Sequence, residues 1–183
     1  DSIKLHMRSD VEIGGCLSGG IDSSSIASII GKNYPNTSFN AYTIYYDGPQ
    51  DVDERPFAKE VSDLYPNLKP YYYQPTNQEL IDNFDIIQYH QDIPLPSSSP
   101  ISQYFVMKLA KSHGAIVLLD GQGSDEYLAG YLHSFHRHIA DGLFSTNPIE
   151  GIKRWNQFSN IQQFDFKNKV ERLVKSIASG IFR

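Results

Sequence analysis

The sequence predicts an α/β fold in which a parallel, twisted β-sheet carries helices on both faces and is followed by a helical C-terminal tail. Two observations favour this fold. Short apolar segments alternate with segments of helical periodicity from residue 1 to residue 131, which is typical of crossover connections between parallel strands. Polar segments that contain glycine follow two of the apolar runs, at 18–24 and 120–126, and parallel sheets bind ligands where their strands end.

Four segments are predicted as strands. Residues 11–17 combine apolar and small side chains, as in a buried parallel strand. Residues 39–46 are rich in aromatic and β-branched side chains, which favour strands. Residues 68–73 form the third strand, and the wholly apolar run 115–119 forms the fourth.

Helical spacing of apolar residues predicts the connecting helices. Ile3 and Met7 indicate a helix that enters the domain, and the pattern of Phe57, Val61 and Leu64 is one example of an apolar helix face. The predicted helices after the entering one are 22–32, 54–65, 76–89 and 101–112. Residues 92–100, rich in Pro and Ser, are predicted as a loop.

The character of the chain changes after Tyr131. Residues 132–148 are poorly periodic, whereas an apolar stripe of helical spacing runs from Phe166 to Ile181. We therefore expect an α/β core at 1–131 and a partial helical extension of the same domain at 132–183. The chain begins without Met in a charged amphipathic stretch, which we interpret as a piece of a longer protein.

Composition disfavours several classes of function. The net charge of −5 argues against nucleic acid as a partner, and the sequence predicts neither a membrane span nor a signal peptide. With one cysteine, no intrachain disulfide can form, and we expect a cytoplasmic protein. Cys16 is interpreted as a buried strand residue. His133, His136 and His138 fit no standard zinc spacing and are expected at the surface.

The segment LSGGIDSS at residues 17–24 lies at a strand–helix junction. Gly19 and Gly20 let backbone N–H groups approach an anion, and serine hydroxyls and the helix N-terminus add further attraction. Asp22 supplies a hard oxygen suited to Mg²⁺. The segment lacks the lysine of the Walker pattern and the spacing of the dinucleotide pattern. It therefore predicts a site for a pyrophosphate group that carries a metal ion, with a simple capped glycine turn as the alternative.

A second junction carries the segment DGQGSDE at residues 120–126. Because the carboxyl ends of parallel strands share one edge of the sheet, we expect the two loops to face each other across one crevice. As first-turn residues of a helix, Asp125 and Glu126 also have a simpler interpretation as acids that favour the helix dipole.

Both loops resemble those of known enzymes. LSGGIDSS resembles the SGGxDS loop of the ATP pyrophosphatases, and VLLDGQGSDE followed by AGY is similar to the second signature of the glutamine-hydrolysing asparagine synthetase family. The segments RSDV at 8–11, DE at 53–54, SQY at 102–104 and KLAK at 108–111 agree in order. The resemblance covers 1 to 131 and implies the adenine nucleotide alpha hydrolase-like (HUP) fold of the C-terminal synthetase domain.

The resemblance implies specific roles. An ATP site would be formed by Leu17, Ser18, Gly19, Gly20, Asp22, Ser23, Ser24, Ile44, Asp120 and Gly121. Asp22 and Asp125 would hold Mg²⁺, and Gln122 and Asp22 would serve catalysis. The implied reaction is attack of a substrate carboxylate on the α phosphorus of ATP, release of pyrophosphate, and amide formation with glutamine-derived ammonia. The implied enzyme is an AMP-forming carbon–nitrogen ligase.

The chain also departs from that family. Asparagine synthetases proper usually have an acid where this chain has Gln122, which argues against aspartate as the substrate. Expected partners are ATP, another small-molecule acid and an N-terminal glutaminase domain in the full-length protein. The oligomeric state is open, with a homodimer as one alternative. Because the family's synthetase domain continues beyond residue 183, we expect this piece to be inactive alone.

Three other functions remain open at the level of sequence. Intramolecular amide closure, as in β-lactam synthetases or lasso-peptide cyclases, would keep the adenylation and change the nucleophile. A degenerate paralogue would bind nucleotide without turnover. A tRNA-modifying or nucleotide-amidating ATP pyrophosphatase is disfavoured by the acidic charge and by the second loop.

Overall fold

In the computed structural model of the chain, four parallel strands form one sheet in the order β3-β2-β1-β4. The strands are β1 (Ile13–Cys16), β2 (Phe39–Ile44), β3 (Leu68–Tyr73) and β4 (Val117–Leu119). The structure describes residues 1–47, 53–95, 97–128, 130–145, 147–161, 171, 173–175 and 177–178. The predicted parallel sheet is confirmed, and each strand lies within its predicted range.

Helices connect the strands, and further helices follow the last strand along the chain. They are α1 (Ser2–His6), α2 (Ile21–Asn33), α3 (Arg55–Leu64), α4 (Asn77–Gln91), α5 (Ser99–Ser112), α6 (Ser124–Leu128), α7 (Leu132–Leu143) and α8 (Pro148–Ile161). The loop predicted at 92–100 is shorter in the structure, because α5 begins at Ser99 with a proline in its first turn.

The strand order creates a switch point beside β1. The chain passes outward from β1 through β2 to β3, then returns through α4 and α5 to β4 on the opposite side of β1. Gly15 of β1 is in register with Ala41 of β2 and with Leu119 of β4. Ligands of such sheets bind where neighbouring connections leave in opposite directions, which makes the carboxyl ends of β1 and β4 the expected ligand edge.

The sheet is covered on both faces, as predicted. One core cluster joins the sheet to α2 and α3 and consists of Leu17, Ala27, Ile30, Phe39, Ala41, Ala58 and Leu68. The second cluster lies on the α5 side and contains Tyr42, Ala110 and Ala115. Ala41 and Tyr42 of β2 belong to different clusters because successive strand side chains point to opposite faces.

The chain divides into two compact units, Asp1–Gly121 and Gln122–Arg183. In the second unit α7 packs against α8, with the rings of Phe135 and Phe158 stacked at 4.9 Å. The prediction of a surface position is wrong for His136, which is buried with its ring edge toward Phe158. The proposed boundary between the core and the extension at residue 131 stays a prediction.

The helical tail is confirmed where the structure describes it. Leu173, Val174 and Ile177 of the predicted apolar stripe are helical, and the stripe's other members lie outside the described residues. Within the described part of the chain, none of the helices has the length and hydropathy that a membrane span requires.

Candidate functional site

Serine side chains stabilise the conformation of the loop between β1 and α2. Ser23 Oγ accepts a hydrogen bond from the Ser18 backbone N–H at 3.2 Å and donates to the Gly20 carbonyl at 3.2 Å. Ser18 Oγ lies 3.1 Å from Ser23 Oγ and accepts from the Gly20 N–H at 3.3 Å. Because Ser23 is buried, hydrogen bonds within the protein, rather than bonds to solvent, determine the loop conformation.

Gly19 places the loop directly on helix α3. Its φ of 82° lies in the left-handed region that favours glycine. A Cβ at this position would also collide with Phe57 Cβ and lie 2.8 Å from the Ala58 nitrogen. The glycine is therefore needed both for the turn and for contact with the first turns of α3.

The N-terminus of α2 has no capping side chain among the described residues. Gly20 is the N-cap, and the N–H groups of the first turn of such a helix are donors that suit an anion. The Asp22 carboxylate is half-buried and forms no hydrogen bond or ion pair with the part of the chain that the structure describes. Ser24 Oγ is buried without a described partner. These donors and this carboxylate fit a polyphosphate that carries Mg²⁺.

Strand β2 anchors the start of the loop. The Leu17 side chain is buried in the core, its N–H donates to the Tyr42 carbonyl at 2.9 Å, and its carbonyl accepts from Thr43 Oγ1 at 2.5 Å. Ile44 is half-buried at the end of β2. Sequence reasoning missed Thr43, because its partner is 26 residues away in the chain.

The first residues of the second loop reach the first loop. Gly121 packs so closely on α2 that an added Cβ would lie 2.9 Å from the Ser23 nitrogen. The Asp120 carboxylate accepts from Gln103 Nε2 at 3.0 Å and from the Cys16 thiol. The structure thus brings Asp120 and Gly121 to the edge occupied by Asp22 and Ser23.

Cys16 is a partly buried residue of β1, in line with its predicted role as a strand residue. Burial, and then the charge and hydrogen bond of Asp120, raise the pKa of its thiol to about 12. A thiol with this pKa is protonated and a poor nucleophile.

The rest of the second loop belongs to the second unit. Asp125 is half-buried in the first turn of α6, and its backbone carbonyl accepts from the Gly130 N–H at 3.2 Å. A Cβ on Gly130 would collide with the Asp125 carboxylate, and Gln122 is exposed. The joint binding of a metal ion by Asp22 and Asp125 stays a prediction. Within the described residues, no three His, Cys, Asp or Glu side chains form a metal-binding group.

The family model described as asparagine synthase matches residues 1–177. The chain belongs to the asparagine synthase family. It is 36% identical over 155 residues to glutamine-hydrolysing asparagine synthetase 1 of Bacillus subtilis (strain 168), covering 83% of this chain and 22% of that protein.

Relatives with lower sequence identity are also matched over only part of their length. Glutamine-hydrolysing asparagine synthetase 1 of Lotus japonicus is 29% identical over 165 residues, which cover 84% of this chain and 27% of that protein. The amidase chyE of Penicillium rubens is 25% identical over 143 residues, which cover 72% of this chain and 21% of that protein. The chain thus spans only about a fifth to a quarter of the length of these family relatives.

Proposed function

We propose that this chain is the ATP-binding core of a ligase that forms amide bonds. The observation that carries the proposal is the N-terminus of α2, which no described side chain caps, together with the serine-braced glycine loop before it and the Asp22 carboxylate, which has no hydrogen-bond partner among the described residues. Membership in the asparagine synthase family supports ATP as the nucleotide.

The glycine loop would bind the pyrophosphate portion of ATP. Backbone N–H groups at Gly19, Gly20 and the start of α2 supply donors, and the helix dipole adds attraction for the negative charge. The hydroxyls of Ser18, Ser23 and Ser24 stand at the same turn. Ser24 contributes only after a rotation of its side chain, because its Oγ is buried.

The metal and the remainder of the nucleotide would lie next to this loop. Asp22 and Asp125 would hold Mg²⁺, which takes its other ligands from phosphate and water and neutralises charge on the phosphates. Asp120 and Gly121 would border the α phosphate. Ile44 and the Leu17 backbone would border the adenine, since the Leu17 side chain is committed to the core.

The proposed reaction begins with a substrate carboxylate that attacks the α phosphorus of ATP. A bond forms between the carboxylate oxygen and phosphorus, and the bond to the bridging oxygen breaks, so that pyrophosphate leaves and an acyl adenylate remains. Ammonia, released from glutamine by an N-terminal glutaminase domain, then attacks the acyl carbon and displaces AMP. The chain's own contribution would be positioning and electrostatic stabilisation.

Gln122 bears on the identity of the acid. An amide side chain donates and accepts hydrogen bonds but cannot accept a proton as a base or neutralise an ammonium group. Aspartate carries an ammonium group, so a neutral residue at this position favours a different small carboxylic acid. Replacement of Gln122 by Glu is expected to improve the binding of amino-acid substrates relative to acids without an amine.

Calorimetric titration of the chain with ATP, with and without Mg²⁺, tests the proposal. We expect metal-dependent binding that is lost in Asp22→Asn and in Asp125→Asn. Asp85→Asn on the exposed face of α4 serves as the matched control, because it removes the same charge outside the site. Binding that does not depend on Mg²⁺, or that survives in Asp22→Asn, would contradict the proposed role of Asp22.

A further inference from the structure

An arginine is held in a defined position where β2 leaves the sheet. The Arg55 guanidinium carbon lies 3.9 Å from the centre of the Tyr45 ring. Arg55 Nε and Nη2 donate to the two carboxylate oxygens of Asp53, each at 2.8 Å. The ring and the carboxylate together restrict the rotation of the planar guanidinium.

Helix α3, which begins with Arg55, contacts the glycine loop within its first turns. Arg55 is the first residue of α3, and Ala58, one turn later on the same face, is the residue whose nitrogen lies against Gly19. Tyr45 continues the pairing of β2 by one residue, since its N–H donates to the Tyr73 carbonyl at 3.1 Å. Arg55 therefore stands at the carboxyl edge of the sheet, where the loop from Leu17 to Gly20 also lies.

The negative charge at this edge of the sheet favours a positively charged side chain beside a bound pyrophosphate. The residues that the structure brings together next to the loop include the carboxylates Asp22 and Asp120, whereas the loop itself offers only neutral donors. A pyrophosphate group carries several negative charges, and one Mg²⁺ offsets two of them. Arginine suits phosphate because its fork of N–H donors can bind two oxygens at once.

The bond between Arg55 and Asp53 can be exchanged for a bond to a ligand. The two side chains are 39% and 23% exposed, so their ion pair is hydrated and weak compared with a buried one. Asp53 also accepts from the Arg55 backbone N–H at 3.0 Å, and this bond persists when the guanidinium turns away. The Asp53 carboxylate thus positions the Arg55 guanidinium and can still release it to a ligand.

We propose that Arg55 binds the β and γ phosphates of ATP, and the pyrophosphate formed from them, by leaving the Asp53 carboxylate while still stacked on Tyr45. This role rests on the proposed function and adds a phosphate ligand that neither glycine-containing loop contains. Asp53 is a positioning residue for Arg55, and by competing for the guanidinium it weakens the binding of phosphates.

Titration of the chain with magnesium pyrophosphate, with ATP and with AMP tests this role. Arg55→Met is expected to weaken the binding of pyrophosphate and ATP by about ten- to a hundredfold, the range of a hydrogen-bonded charge, and to leave AMP binding unchanged. Arg55→Lys retains the charge without the fork, so an intermediate loss is expected. Asp53→Asn removes the competing charge, so pyrophosphate binding is expected to tighten.

Lys59→Met is the matched control, since Lys59 lies one turn along α3 and pairs with Asp63 instead. Unchanged AMP binding and an unchanged thermal unfolding midpoint show that each variant is folded. Equal pyrophosphate affinity in Arg55→Met and Lys59→Met would overturn the role of Arg55, as would a loss in Asp53→Asn equal to that in Arg55→Met. If the wild-type chain binds neither ATP nor pyrophosphate, the proposed function itself fails, which is a separate outcome.

Discussion

Gly121 lies against the first turn of α2 so closely that an added Cβ would be 2.9 Å from the backbone nitrogen of Ser23. The same Cβ would be 3.0 Å from Asp22 Cβ. These atoms belong to a helix that is packed on the sheet, so they cannot move aside independently. The contact joins the residue after the end of β4 to the first turn of α2, and packing alone requires glycine here.

Gly121→Ala is expected to push the backbone at residue 121 away from α2. We expect a loss of about 1–3 kcal/mol in the free energy of unfolding, as for other overpacked positions, together with weaker ATP binding. Urea unfolding and calorimetry measure the two effects. Gly114→Ala is the control, because an added Cβ there meets nothing within 4 Å and only its φ of 83° opposes the change. Unaltered ATP binding in Gly121→Ala would show that the loop position does not matter to the site.

Thr43→Val removes the hydroxyl that donates to the Leu17 carbonyl. Valine has nearly the same shape, but it leaves the carbonyl at the start of the glycine loop without this buried donor. We expect the free energy of unfolding to fall by about 1–3 kcal/mol, measured by urea unfolding. Thr43→Ser keeps the hydroxyl and should lose less. If valine and serine destabilise equally, the hydrogen bond is not the source of the stability.

Local patterns were sufficient to predict most of the fold. The apolar run at 11–17 and the glycine, serine and aspartate residues after it describe a strand, a turn and a helix start within a single stretch of sequence. The observed β1 is shorter, since Val11 is exposed and its N–H bonds to the Ser9 side chain. Strand ends depend on such turn contacts, which an apolar pattern does not specify.

The parts that sequence did not predict depend on contacts between distant elements. Nothing local connects Thr43 with Leu17, or Arg55 with Tyr45. His136 is different, because a signal was present: His136, Ile139 and Ala140 are spaced by three and four residues and are all buried on one face of α7. A search for helical periodicity that treats histidine as able to pack would have found this face.

Glu79 makes the stability of the folded chain fall as the pH becomes acidic. Its carboxylate accepts hydrogen bonds from the Tyr73 hydroxyl and from the backbone and side chain of Thr76, which lower its pKa from 4.5 to about 2. Because the folded pKa is the lower one, the carboxylate's contribution is complete above pH 4.5 and is lost as the pH falls toward 2.

The midpoint of urea unfolding is therefore expected to fall less steeply between pH 4.5 and 2 in Glu79→Gln than in the wild type. Glu60→Gln, on an exposed part of α3, is the control and should follow the wild-type curve. Parallel curves for the wild type and Glu79→Gln would show that these hydrogen bonds persist in the unfolded chain or contribute nothing.

Cys16 is expected to resist thiol reagents while the chain is folded. With a pKa of about 12, only about one thiol in ten thousand is ionised at pH 8, and the thiolate is the reactive form. Ellman's reagent should therefore react slowly with the native chain and rapidly after denaturation in urea. Asp120→Asn removes the charge, one of the smaller causes of the shift, and leaves burial, the largest one, so the native reaction should remain slow. Rapid labelling of Asp120→Asn would instead show that the carboxylate, rather than burial, protects the thiol.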